Sequence, residues 1–176
     1  MEQLINKSKY LFGLNFENEN KLILLYALGL FIFPFIITQQ LILGTLVNAL
    51  LIKSSTETKS NKVLLLSIVP SVAVLASGYV FGALNSQMLY MLPFIWVGNL
   101  VLMLLMRNLF TQSKKNYFVS AIIGASAKTI FIFSVVVLLF TQSLVPVLFL
   151  TAFGVIQLIT AIAGATIVYV ARVVWK

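Results

Sequence analysis

Apolar and polar positions fall into long alternating blocks along this chain, with apolar stretches beginning near Leu22, Leu41, Val63, Met88, Tyr117 and Val145. The gaps between them are of two kinds, and the two kinds alternate. Lys53, Lys59 and Lys62 occupy one basic gap and Arg107, Lys114 and Lys115 another, and both chain ends are basic through Lys7, Lys9, Lys21, Arg172 and Lys176. The remaining gaps read Thr38-Gln39-Gln40, Asn85-Ser86-Gln87 and Thr141-Gln142-Ser143, polar but uncharged. Lysine and arginine collect on the cytoplasmic side of membrane proteins. Six crossings with both termini inside put every gap charge on that side. The pattern therefore predicts an all-α, polytopic bundle of six transmembrane helices in the cell membrane, with both termini cytoplasmic.

A helix crosses the roughly 30 Å hydrocarbon layer with about 20 residues. Segments 21–37, 63–82, 88–106, 117–140 and 145–171 are long enough. Segment 41–52 is short and contains Gly44, Thr45 and Asn48. Read as one helix, 22–52 would run about 46 Å, too long for a single pass, and it would strand Lys53 on the wrong side. A second helix that is short or broken fits the charges better. Broken membrane helices are tolerated against protein or a polar cavity, and often line a binding site. The first twenty residues carry Glu17 and Glu19, and no small-residue cleavage site follows the first span. That span is expected to be retained rather than cleaved as a signal peptide. The expected organisation is a cytoplasmic segment, 1–20, and one membrane domain, 21–176. Gly78 with Gly82, Ala121 with Ala125 and Ala161 with Ala165 are small pairs four apart, the spacing that lets helices approach closely. Tyr79, Tyr90, Tyr169 and Trp175 sit near span ends, where aromatic rings anchor at the interface.

With 61% apolar and 9% charged residues, a water-soluble core is excluded. The net charge of +8 lies beside the spans, where topology accounts for it without nucleic acid. The chain has no Cys, His or Asp, and its four Glu (Glu2, Glu17, Glu19, Glu57) all fall in segments read as cytoplasmic. A Ser-His or two-Asp intramembrane protease, a His/Cys metal site and a carboxylate proton relay are thereby ruled out as usually built. Neither an enzyme nor a cofactor is expected. Gly124-Ala-Ser-Ala-Lys128-Thr129 faintly suggests a phosphate loop, but Ala127 and Ile122 stand where that motif needs glycine.

Lys128 breaks the charge pattern, lying about 16 Å into the fifth span. A lysine at such depth costs about 2.5–3.5 kcal/mol on insertion scales, and snorkelling over about 6 Å leaves the ammonium well below the surface. With every Glu cytoplasmic, it must be neutral, ringed by amides and carbonyls, met by a partner's anion, or met by an anionic ligand. Carbonyls and water at a helix interface are the purely structural alternative. Asn99, Gln157 and Thr160 arrive at similar depth, and Asn48 lies nearer the outer face. Helical spacing puts Trp96 on the face of Asn99, and puts Gln157, Thr160, Ala161 and Gly164 on one stripe. Buried amides can instead tie helices together. The convergence of the set predicts a substrate site of Asn48, Trp96, Asn99, Lys128, Gln157 and Thr160, open to the uncharged side.

The phrases Gly44-Thr-Leu-Val-Asn48-Ala49, Pro93-Phe-Ile-Trp96-Val-Gly-Asn99, Gly124-Ala-Ser-Ala-Lys128 and Gln157-Leu-Ile-Thr160-Ala161 carry a family likeness. Over about 22–171 the chain resembles the S components of energy-coupling factor (ECF) transporters, in a poorly characterised branch. The resemblance implies a substrate-binding membrane subunit of an uptake transporter. Its partners would be a transmembrane coupling subunit and cytoplasmic ATPases, and its cargo a small vitamin-like nutrient bound near the outer face. One departure concerns docking: family members commonly use small residues four apart on the first helix, whereas Ala27 is followed by Phe31 and Gly29 by Phe33. The amino-terminal His of metal-transporting members is also missing, which turns the expectation from nickel or cobalt to a small organic molecule. Lys128 would favour a carboxylate or other acceptor group on it, and Trp96 could stack on a ring. A non-transporting membrane scaffold and a homo-oligomeric channel are the rival readings.

Overall fold

The structure, a computed structural model, describes residues 19–174. Most of the expected segment 1–20, together with Trp175 and Lys176, lies outside the described residues. The elements are α1 (Glu19–Ile36), α2 (Gln40–Glu57), a 3₁₀ helix (Asn61–Ser67) leading into α3 (Val69–Ser77), a short 3₁₀ turn (Gly82–Leu84), α4 (Met88–Leu105) continuing as a π-helix (Met106–Gln112), α5 (Tyr117–Thr141), α6 (Leu148–Phe153) and α7 (Val155–Val174). Among the described residues there is no strand.

Among the described residues, four helical stretches are long and apolar enough to cross a membrane: Glu19–Ile36, Met88–Gln112, Tyr117–Thr141 and Leu148–Val174. Large apolar side chains cover the outside of the bundle, among them Leu25, Ile36, Ile130, Leu138 and Val155. An apolar exterior around helices of that length supports an integral membrane protein.

Local chemistry sets the helix ends. Asn116 starts α5, its Oδ1 accepting from the backbone N–H of Phe118 at 2.9 Å and of Val119 at 3.4 Å. Ser60 does the same for the 3₁₀ helix, accepting from the Lys62 N–H at 3.2 Å. Pro70 lies in the first turn of α3, and Gly78 ends that helix at φ 70°.

Two expectations are corrected. The second helix is unbroken from Gln40 to Glu57. Its polar residues are absorbed by its own backbone, with Thr45 Oγ1 donating to Leu41 O at 2.8 Å and Asn48 Nδ2 to Gly44 O at 2.9 Å. The interruptions fall elsewhere: at Ile68, where 3₁₀ gives way to α, and at Gly154, which separates α6 from α7 at φ −98°, ψ −100°. A Cβ on Gly154 would lie 2.6 Å from Leu150 O and 2.9 Å from the Phe133 ring. The second correction concerns Gly78 and Gly82, which pack against nothing; both have positive φ and open space where a Cβ would stand. They are turn residues. The alanine pairs do pack, all four of Ala121, Ala125, Ala161 and Ala165 being buried.

α2 packs closely against α7. A Cβ on Gly164 would meet Thr45 O and Ala49 N at 2.7 Å, so only glycine lets these backbones touch. Gly98 plays a similar part between α4 and α5, facing Ile132 and the stem of Lys128.

Charge segregates along the bundle. At one end the Lys59 N–H meets Glu19 Oε1 at 2.9 Å, and the Tyr26 hydroxyl donates to Glu57 Oε2 at 2.7 Å. Arg107 is buried there, its guanidinium donating to Ser55 O, Thr58 O, Ser60 O and Asn61 Oδ1 at 3.0–3.2 Å. Arg172 donates to Thr56 Oγ1 and stands 4.9 Å above the Phe110 ring. The opposite end holds the uncharged turns, tied by Gln40 Nε2 to Ala152 O at 3.3 Å and by Asn85 Nδ2 to Leu75 O at 2.9 Å.

Candidate ligand site

Lys128 is the centre of the site. It lies at the middle of α5 with only 2% of its surface exposed. Its Nζ donates to Asn48 Oδ1 at 2.7 Å. Asn48 in turn donates through Nδ2 to Thr160 Oγ1 at 3.2 Å, and the Thr160 hydroxyl reaches Gln157 O at 3.2 Å. A chain of polar groups thus runs from α5 through α2 to α7. Asn99 on α4 is also buried and is held by Ser67 O, to which its Nδ2 donates at 3.0 Å.

Helix rise explains why these residues meet. Gln40, Met88 and Thr141 mark the uncharged ends of α2, α4 and α5. Counting inward, Asn48 lies about 12 Å down, Asn99 about 16 Å and Lys128 about 20 Å. Three separate helices therefore deliver polar groups to one band deep in an apolar bundle.

A cavity of about 80 Å³ opens beside them. Asn48, Asn99, Lys128 and Gln157 line it on the polar side. Phe81, Phe153, Val74 and Met88 supply the apolar side, with Gln40 towards the uncharged end. Phe81 comes from the turn between Gly78 and Gly82 and stacks on Phe153 at 5.8 Å and 16° between planes. The cavity is small beside the roughly 300–1,000 Å³ usual for drug-sized ligands, but holds several waters or a short organic acid.

Among the described residues, Lys128 faces no carboxylate. Glu57 lies nine residues beyond Asn48 on the same helix, about 13 Å along its axis, and is engaged by Tyr26. The groups around the ammonium are neutral amides and apolar walls, and its one hydrogen-bond partner among the described residues is an amide oxygen. Gln157 is also under-satisfied, its Oε1 being buried without a hydrogen-bond partner among the described residues.

Four of the six expected site residues, Asn48, Asn99, Lys128 and Gln157, line the cavity. Thr160 stands behind it, bonded to Asn48. Trp96 departs from expectation: it does not line the cavity, and its Nε1 donates at 2.7 Å to the hydroxyl of Ser71, which does. Its place on the face of Asn99 turns it toward α3, and the aromatic rings that line the cavity are those of Phe81 and Phe153 instead. Ser71 and those two phenylalanines were not legible as site residues.

The described residues form an all-helical bundle with a lysine-floored cavity amid apolar helices. No protein-family model matches the chain, and neither a curated protein nor a solved structure matches it significantly.

Proposed function

We propose that the protein is the substrate-binding membrane subunit of an ECF-type uptake transporter for a small organic nutrient. It would cross the cell membrane six times with both termini cytoplasmic, and be energised by ATPases on other chains through a transmembrane coupling subunit. The observation that carries this reading is Lys128: an ammonium buried deep among apolar helices, held by one amide oxygen, beside a cavity lined toward the uncharged end. Lysines at such depth are expensive and commonly mark substrate or ion pathways. The gathering of basic side chains at the other end of the bundle supports placing that end in the cytoplasm, which turns the cavity outward.

The small cavity volume favours one alternative, a non-transporting membrane scaffold in which the polar band only fastens helices. The two readings separate experimentally. Purified protein is heated with a panel of vitamins, their precursors and short organic acids, alongside Lys128→Ala. Stabilisation of the parent by a panel member, lost in the variant, supports the transporter subunit; a flat response from both favours the scaffold. Affinity purification from the native membrane supplies the partner test, with recovery of ATPases and a coupling subunit expected.

A further inference from the structure

Two residues that line the cavity have unmet hydrogen-bonding capacity of opposite kinds. Protonated, Lys128 Nζ carries three N–H donors and spends one on Asn48 Oδ1. Gln157 Oε1 is a buried acceptor with no donor. Asn85 Oδ1 and Thr129 Oγ1 are also buried and unpartnered, but neither residue lines the cavity. Gln157 is thus where an unsatisfied atom coincides with a lining residue. Buried polar atoms without partners are uncommon and costly, and they call for an occupant or a functional cause.

From this pairing we infer that the ligand is a short monocarboxylate bearing an uncharged O–H or N–H donor, of the kind a small hydroxy acid presents. The inference rests on the reading of the cavity as a substrate site and goes beyond it by naming the chemistry. The carboxylate meets the Lys128 ammonium and cancels a charge that no side chain lining the cavity among the described residues cancels. The uncharged donor meets the Gln157 carbonyl. A second cation on the ligand would sit beside the ammonium and restore the uncompensated charge, so a simple zwitterion fits less well. The cavity of about 80 Å³ sets the size, and Val74, Phe81 and Phe153 leave room for an apolar tail rather than a second charge.

The test uses the full-length protein in lipid nanodiscs and equilibrium binding by calorimetry. The probes are lactate and glycolate, methoxyacetate (which keeps the carboxylate and lacks the donor) and lactamide (which keeps the donor and lacks the charge). Biotin and nicotinate are included as larger carboxylates. The hydroxy acids are expected to bind about tenfold or more tightly than methoxyacetate or lactamide, the discrimination expected when a buried polar group is left unpaired. Gln157→Leu should erase the preference for the hydroxyl while keeping carboxylate binding. Lys128→Met should erase the preference for the carboxylate. Circular dichroism confirms that each variant folds. Equal binding of glycolate and methoxyacetate by the parent overturns the inference and points to a bridging water at Gln157. Binding of biotin or nicotinate alone overturns it too, yet leaves the substrate-site reading standing. A failure of every probe, in a protein that also releases no small molecule on denaturation, overturns both.

Discussion

Replacing Asn48 should harm this protein more than replacing the lysine it serves. In Asn48→Leu the Lys128 ammonium loses its hydrogen-bond acceptor, given at 2.7 Å, and Thr160 loses the amide donor at 3.2 Å. A hydrogen bond to a charged group is worth about 1.5–3 kcal/mol, and a neutral interhelical bond in a membrane averages about 0.6 kcal/mol. The expected cost is their sum, about 2–4 kcal/mol. Lys128→Met keeps the volume of the stem and leaves Asn48 bonded to Gly44 O and Thr160. It forfeits one bond but also removes the insertion penalty of about 2.5–3.5 kcal/mol for a buried lysine. The net effect should be near zero or stabilising. Once methionine stands at 128, Asn48→Leu should cost only about 1 kcal/mol, because no ammonium is left to strand. Unfolding in mixed micelles, followed by tryptophan fluorescence for the parent, both single variants and the double variant, measures all three quantities. Equal costs of Asn48→Leu on both backgrounds would refute the reasoning. So would a Lys128→Met variant destabilised by more than about 2 kcal/mol, which would make the lysine a structural fastener.

Other expectations follow from particular contacts. Gly164→Leu should destabilise by at least about 3 kcal/mol, because its Cβ meets backbone atoms of α2 at 2.7 Å that cannot swing aside. Gly78→Ala should cost only about 1–2 kcal/mol, the penalty of a left-handed backbone in open space; melting curves compare the two. Arg107→Met leaves Ser55, Thr58 and Ser60 carbonyls without their guanidinium donor and should cost about 2–4 kcal/mol. Arg107→Lys should recover less than half of it, since one ammonium cannot span the same acceptors. For topology, the cysteine-free parent allows single-cysteine labelling. Ser86→Cys and Ser143→Cys should react with an impermeant maleimide from outside intact cells, and Ser113→Cys only after permeabilisation; the reverse pattern would invert the proposed orientation.

How much of this was legible in the sequence depended on which physical signal was local. The helical class and the segregation of charge came through because hydropathy and lysine placement act residue by residue. Depth counting also found Lys128, Asn99 and Gln157, since a fixed rise per residue converts position into height. The break assigned to the second helix was misplaced. Gly44, Thr45 and Asn48 look like helix breakers in isolation, but Thr45 and Asn48 bond back to carbonyls four residues earlier, and Gly44 makes room for Thr160. Rotation about the helix axis was the other weakness. Trp96 and Asn99 share a face by spacing, yet three residues turn through about 300°, and the remaining offset takes the indole to Ser71 while Asn99 borders the cavity. Ser71, Phe81 and Phe153 depend on which helices are neighbours, and no pattern along a single chain carries that.

The central claim is that the space beside Lys128 exists to hold a small molecule. The measurement nearest to it is mass spectrometry of what leaves the protein on denaturation, after gentle purification from native membranes, with wild type and Lys128→Met handled in parallel. A small carboxylate released in near-stoichiometric amount by the wild type and missing from the variant is the predicted result. An empty wild type, or the same molecules from both proteins, would contradict it.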